Sequence, residues 1–134
     1  MILIDTSVWI DFFDHPHSAY AKELGTLIKN EEEICLADIN VTEILQGIKE
    51  EKVFEEIKRY LMEFPILRAR SLETYIDAAD IYRSCRKTGQ TITKTMDAVI
   101  AAIAIENSFP LFHHDKDFTS IADCTKLKIY PSFH

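Results

Sequence analysis

Between Met96 and Asn107 the chain carries alanine, valine and isoleucine on every side of a helical projection, with Asp97 and Glu106 the only charges. A helix that is apolar all round has no face to offer water, so it must lie deep in the domain with other elements covering it. At 134 residues the chain has room for one core, and a single unit over 1–134 is expected. Short apolar runs at Met1 to Ile4, Glu33 to Ala37, Pro110 to Phe112 and Leu127 to Tyr130 read as strands. Between them lie helical segments at Val8 to Phe13 and Ser18 to Lys29. Asn40 is expected to cap a helix through Glu43 to Ile48, and Glu51 to Phe64 continues as helix until Pro65. Ser71 opens another, with Leu72, Ile76, Ala79 and Tyr82 at helical spacing and Gly89 as its C′ residue. Thr95 is expected to cap the apolar helix, and Asp117 a short one over Phe118 to Ala122. Strands alternating with helices predict an α/β sandwich around a mostly parallel sheet.

In such sheets ligands bind beyond the C-terminal strand ends. Asp5 follows the first strand at once, and Asp115 follows Leu111-Phe112 after two histidines, so both point to one edge. Glu43 sits in an apolar helical pattern (Ile39, Val41, Ile44, Leu45, Ile48) with Gly47, not a base, four residues on. Asp97 occupies the first turn of the most apolar helix, where backbone N–H groups and the helix dipole stabilise an anion. Each carboxylate alone is explained by a turn, a helix start or a solvated face. Together, without a basic partner beside Asp5, Glu43 or Asp97, they need a shared counter-charge, since an isolated ion near a core is costly. A hard divalent cation with oxygen ligands meets that need, and Mg²⁺ or Mn²⁺ suits a carboxylate cluster.

The net charge of −7 argues at first against a phosphate-bearing ligand. Its distribution weakens the objection. Residues 23 to 56 carry ten acids against three bases, which accounts for the whole excess and reads as a solvated helical face. Ile81 to Met96 carries Arg83, Arg86, Lys87 and Lys94 with no acid, and runs directly into Asp97. These four are candidate contacts to such a ligand; a solvated helix end explains the first three equally well. No apolar run approaches the roughly 18–20 residues of a membrane span. The N-terminus lacks the basic start of a secretory signal, and three cysteines without a CxxC pair (Cys35, Cys85, Cys124) suit reduced, buried thiols, so a cytoplasmic location is expected.

The stretch from Ile2 to Phe13 (ILIDTSVWIDFF) resembles the opening of PIN-domain ribonucleases, in particular the VapC toxins of VapBC toxin–antitoxin modules. The resemblance continues in Val41 to Gly47 (VTEILQG), in Gly89 to Ile92 followed by Asp97 to Ala102 (DAVIAA), and in Leu111 to Phe118 (LFHHDKDF). It implies a PIN-like three-layer sandwich and metal-dependent RNA cleavage. It places the metal-binding, catalytic acids at Asp5, Glu43, Asp97 and Asp115, with Thr6 or Ser7 as a nearby hydroxyl. The family's threonine in T-x-D-x-D-F is His113 here, and Asp115 and Asp117 compete for the fourth position. Asp115 is preferred because Asp117 is expected to serve as a helix cap.

The resemblance also implies a homodimer and a small antitoxin whose C-terminal segment follows an apolar groove to the acids. Trp9, Phe12 and Phe13 crowd the first helix with more apolar surface than it should bury alone, as a protein contact would; core packing explains them as well. His113 and His114 are expected to be a neutral, partly exposed pair, and Asp11, Asp14, Asp38, Asp77 and Asp80 to be surface residues. The rivals are a housekeeping PIN nuclease in RNA processing, a non-catalytic PIN-like module, and an Asp-centred phosphatase or receiver domain. The last lacks support, because Asp5 is followed by Thr6-Ser7-Val8 and not by a DxD pattern.

Overall fold

The computed structural model describes residues 1–131; the last three residues of the expected 1–134 unit lie outside the described residues. The elements run β1 (Ile2–Ile4), α1 (Thr6–Asp14), α2 (Ala19–Lys29), β2 (Ile34–Ala37), α3 (Asp38–Leu45), α4 (Glu51–Leu61), β3 (Ile66–Leu67), α5 (Leu72–Lys87), α6 (Thr95–Asn107), β4 (Leu111–Phe112), α7 (Lys116–Cys124) and β5 (Ile129–Tyr130). The strands form one sheet in the order β3-β2-β1-β4-β5, and every pairing is parallel.

Successive strand residues point to opposite faces, and the core divides accordingly. Leu3, Cys35, Ala37 and Leu111 face α5, α6 and α7, while Ile4, Ile34, Leu36 and Phe112 face α1 to α4. Helices therefore cover both faces, as an all-parallel sheet requires. α6 is the central helix of its layer: Asp97 to Ala104 are all buried, which fulfils the expectation from its unbroken apolar surface. The chain winds outward from β1 through β2 to β3, then returns to β4 and β5 on the other side. The reversal puts a crevice between the C-terminal ends of β1 and β4. There the Asp5 backbone N–H donates to the Phe112 carbonyl at 2.9 Å.

Several local expectations change. β3 follows Pro65 directly, and its two residues are too few to show a period. α4 ends at Leu61, before Pro65. The cap of α3 is not Asn40, which lies inside the first turn and accepts from the Ala37 N–H at 2.9 Å. Lys94, not Thr95, occupies the N-cap of α6. Trp9 is fully buried and packs against Phe13, Tyr60 and Phe64, so α4 covers the aromatic cluster and it is not an open contact surface. Asp11, expected at the surface, is buried. Cys85 and Cys124 meet between α5 and α7 with Sγ atoms 2.6 Å apart, and Cys124 is only half-buried.

Candidate metal centre

Three short turns deliver acids to the crevice. β1 stops after three residues because Asp5 caps α1, its carboxylate accepting from the Ser7 N–H at 3.0 Å and the Ser7 hydroxyl at 2.6 Å. Its other oxygen receives the Asn40 amide at 3.4 Å. Asn40 is fully buried and also donates to Thr6 Oγ1 at 2.9 Å and to Glu43 Oε1 at 3.5 Å. Thr6 in turn donates to the same Glu43 oxygen at 2.8 Å. Asp5, Thr6, Asn40 and Glu43 thus form one hydrogen-bonded unit joining α1 to α3.

The second group comes from α6 and α7. Asp97, Asp115 and Asp117 each offer a carboxylate oxygen, and the three atoms lie within 4.8 Å of one another. Asp115, not Asp117, caps α7, accepting from the Asp117 N–H at 3.0 Å. The helix-cap role expected of Asp117 thus belongs to Asp115, and Asp117 is left available to the cluster. Asp117 is buried and its Oδ2 receives both the N–H and the hydroxyl of Thr93, at 3.2 and 2.5 Å. Lys94 approaches Asp115 at 3.5 Å.

Asp97 is the unsatisfied member. It is 3% exposed, and its Oδ2 is buried with no hydrogen-bond partner among the described residues. An orphaned buried carboxylate oxygen is rare and costly. Burial, above all, pushes its carboxyl up to about 7; Asp115, Asp5 and Asp117 push the same way, against Lys94. Burial also raises Asp5, helped by Glu43 and opposed by the bonds from Ser7. Burial pulls Lys94 down, but Asp115, Asp97 and Glu43 outweigh it and raise the ammonium overall. These mutual effects place Asp5, Glu43, Asp97, Asp115 and Asp117 in one electrostatic field with one lysine. Three clustered acids around an orphaned oxygen fit a hard divalent cation, which takes oxygen ligands only.

The proposed RNA contacts separate. Lys94 belongs to the site. Arg83 pairs with Asp80 at 3.1 Å, Arg86 lies over the Tyr82 ring, and Lys87 ends α5 exposed. Sequence reasoning missed Asn40 and Thr93 as supports. Asn40 reads locally as a helix cap, and nothing local marks Thr93, whose partner is 24 residues away.

The PIN domain family matches residues 2–123. The chain is 34% identical over 129 residues to "VapC ribonuclease Mb1587" of Mycobacterium bovis and to "Ribonuclease VapC11" of Mycobacterium tuberculosis, covering 96% of each chain in both comparisons. Among solved structures it resembles VapBC2 from Rickettsia felis bound to a promoter DNA fragment (TM-score 0.75, 19% identity, 96% of this chain and 97% of that one). It also resembles FitAcB from Neisseria gonorrhoeae (TM-score 0.75, 22% identity, 100% and 99%). With a five-stranded parallel sheet between helical layers and acids gathered at its switch point, the chain belongs to the PIN-domain family, among its VapC-type members.

Proposed function

We propose that this protein is an endoribonuclease dependent on Mg²⁺ or Mn²⁺, and that it acts as the toxin of a type II toxin–antitoxin module. The observation that carries the reading is the orphaned Asp97 carboxylate among Asp115, Asp117 and Asp5. Asp97, Asp115 and Asp117 would hold the cation, with Asp5 and Glu43 completing the acidic wall. A cation bound there makes water more acidic and offsets the charge that grows on the phosphate. Ser7 fixes the Asp5 carboxylate, and Thr6 and Asn40 fix Glu43, so neither acid has to reorganise during the reaction. Thr93 holds Asp117 in the same way. Lys94 keeps one positive charge beside Asp115, where an RNA phosphate would approach.

Two surfaces support the partners. On α5 the exposed Leu72 (74%), Tyr75, Ile76 and Tyr82 share one helical face, opposite the buried Thr74, Ala78, Ile81 and Cys85. An apolar stripe of that kind suits a homodimer. A groove of about 330 Å³ between α1, α3 and α4, walled by Ile10, Ile44, Ile48, Val53 and Ile57, has Glu43 on its lining. It suits an amphipathic antitoxin segment that ends at the acids, where an arginine side chain would pair with them. Among the described residues no helix is long and apolar enough to cross a membrane.

The test is cleavage of single-stranded RNA by the purified chain. Cleavage with Mg²⁺ or Mn²⁺ that EDTA abolishes is expected; undiminished cleavage in EDTA would overturn the metal. Sedimentation with the product of an adjacent small gene tests the toxin assignment. A monomer that ignores that product while cleaving RNA would indicate a housekeeping nuclease.

A further inference from the structure

A second feature adjoins the acids. Beyond Asp115 the surface opens into a cleft of about 1210 Å³ between α2, α7 and the end of β5. That is far more room than a hydrated ion needs and exceeds the roughly 300–1,000 Å³ of pockets that hold small molecules. Its lining includes Tyr20, His114, Lys116, Lys128 and Tyr130, with Asp123 the one acid besides Asp115 among the described residues. Lys116 and Lys128 are exposed.

His114 is held there from three sides. Its backbone N–H donates to Ser7 Oγ at 2.9 Å, the same hydroxyl that donates to Asp5. Its ring stacks on Tyr20 with centroids 3.9 Å apart and planes 13° from parallel. Its Nδ1 lies 2.9 Å from Asp11 Oδ2, and the Asp11 side chain is only 12% exposed. With Nδ1 engaged by Asp11 and one ring face by Tyr20, Nε2 has no hydrogen-bond partner among the described residues. A side chain clamped this firmly while half-exposed at a cleft costs little entropy when it engages a ligand. Buried Asp11 has no role in the acidic cluster, and its contact with His114 gives it one here.

We propose that this cleft is a single-stranded RNA subsite, in which His114, clamped by Asp11 and Tyr20, contacts the nucleotide next to the scissile phosphate. Unpaired bases stack on aromatic and histidine rings, and neighbouring phosphates pair with lysines, in many single-strand binders. Lys116 and Lys128 lie where the strand's phosphates would continue from Asp115. The proposal rests on the ribonuclease reading and names where its substrate is gripped. His114 acts here as a binding residue, and Asp11 and Tyr20 as the residues that position it.

The experiment follows both cleavage and binding of a short fluorescein-labelled single-stranded RNA. The proteins are wild type, His114→Ala and the double variant Lys116→Ala/Lys128→Ala, each checked by thermal melting. The lysines are exposed, so the double variant keeps the test available if loss of His114 unfolds the protein. For His114→Ala the subsite predicts KM or Kd raised about 10- to 100-fold, in line with the loss of one stacking or hydrogen-bonding contact, with kcat within a few-fold. The double variant should raise KM and flatten the dependence of log Kd on log salt by one to two. RNA cleaved with unchanged KM in both folded variants would overturn the subsite and leave the ribonuclease reading intact. RNA bound but not cleaved, with the same losses, would support the subsite and refute the nuclease. An RNA neither bound nor cleaved by wild type would overturn both.

Discussion

The two halves of the acidic crevice are built on opposite plans. On the side of α1 and α3 the acids are held by hydrogen bonds: Ser7 and Asn40 engage the two oxygens of Asp5, and Thr6 and Asn40 engage Oε1 of Glu43. On the side of α6 and α7, three carboxylates converge within 4.8 Å and one buried oxygen of Asp97 is left without a partner among the described residues. The first half is held by the fold's own hydrogen bonds. The second keeps that buried oxygen unpaired even with Lys94 3.5 Å from Asp115. That division separates residues that shape the site from those that spend folding stability to keep it reactive.

The largest effect should fall on the unsatisfied half. Asp97→Asn should lower RNA cleavage at least a hundredfold, about 3 kcal/mol of barrier, measured as kcat/KM with Mn²⁺ present. Asp5→Asn is expected to lose as much. Near-wild-type rates in either would show that the cluster does not serve the reaction. On the α1–α3 half, Asn40→Ala should cost about 2–3 kcal/mol of unfolding free energy with or without metal, since it strands the Ala37 N–H and the Asp5 and Thr6 oxygens that Asn40 bridges. Denaturant titration in EDTA reads this out, and an unchanged midpoint would erase the contrast between the halves.

A smaller and opposite effect distinguishes Asp97 in the metal-free protein. Its folded carboxyl titrates at about 7, above the ordinary 3.8, so the folded state holds that proton more tightly than the unfolded chain. The stability this group contributes is fully present below about pH 4 and is lost as pH rises through about 7. Asp97→Asn should therefore melt a few degrees above wild type in EDTA at pH 7.5, on the order of 1–2 kcal/mol, and the gap should close at pH 4. A variant that melts lower at both pH values would make Asp97 a structural helix-start anion. The smallest effect should come from Arg86→Ala with Lys87→Ala, a few-fold rise in KM that disappears at high salt. A hundredfold loss would move the main RNA path to α5.

Much of this arrangement is legible in the residues alone, and the misses share a cause. α6 and β1 declare themselves because an apolar helix and an apolar run ended by Asp5 each have one packing solution. The four expected acids, Asp5, Glu43, Asp97 and Asp115, do come into one field, because strand ends and helix starts of a parallel sheet share an edge. The cap of α7 is Asp115 and not Asp117 because either aspartate suits a cap by sequence, and only the turn geometry decides that Asp115 accepts from the Asp117 N–H while Asp117 reaches Thr93. Trp9, Phe12 and Phe13 are over-large for α1 alone because their cover comes from elsewhere: Tyr60 of α4 and Phe64 just beyond it. Asp11 and His114 are 103 residues apart, and no local pattern links them. Pairings made by tertiary structure leave no local trace.

Cation binding on the Asp97 side of the crevice is directly measurable. Electron paramagnetic resonance of Mn²⁺ titrated into the purified protein at pH 7.5 measures this without RNA. Wild type should remove free Mn²⁺ from solution, and Asp97→Asn should weaken that binding at least tenfold, a difference of about 1.4 kcal/mol. Asn40→Ala, if folded, should still bind. Equal binding by wild type and Asp97→Asn, or no binding by wild type, would contradict the central claim.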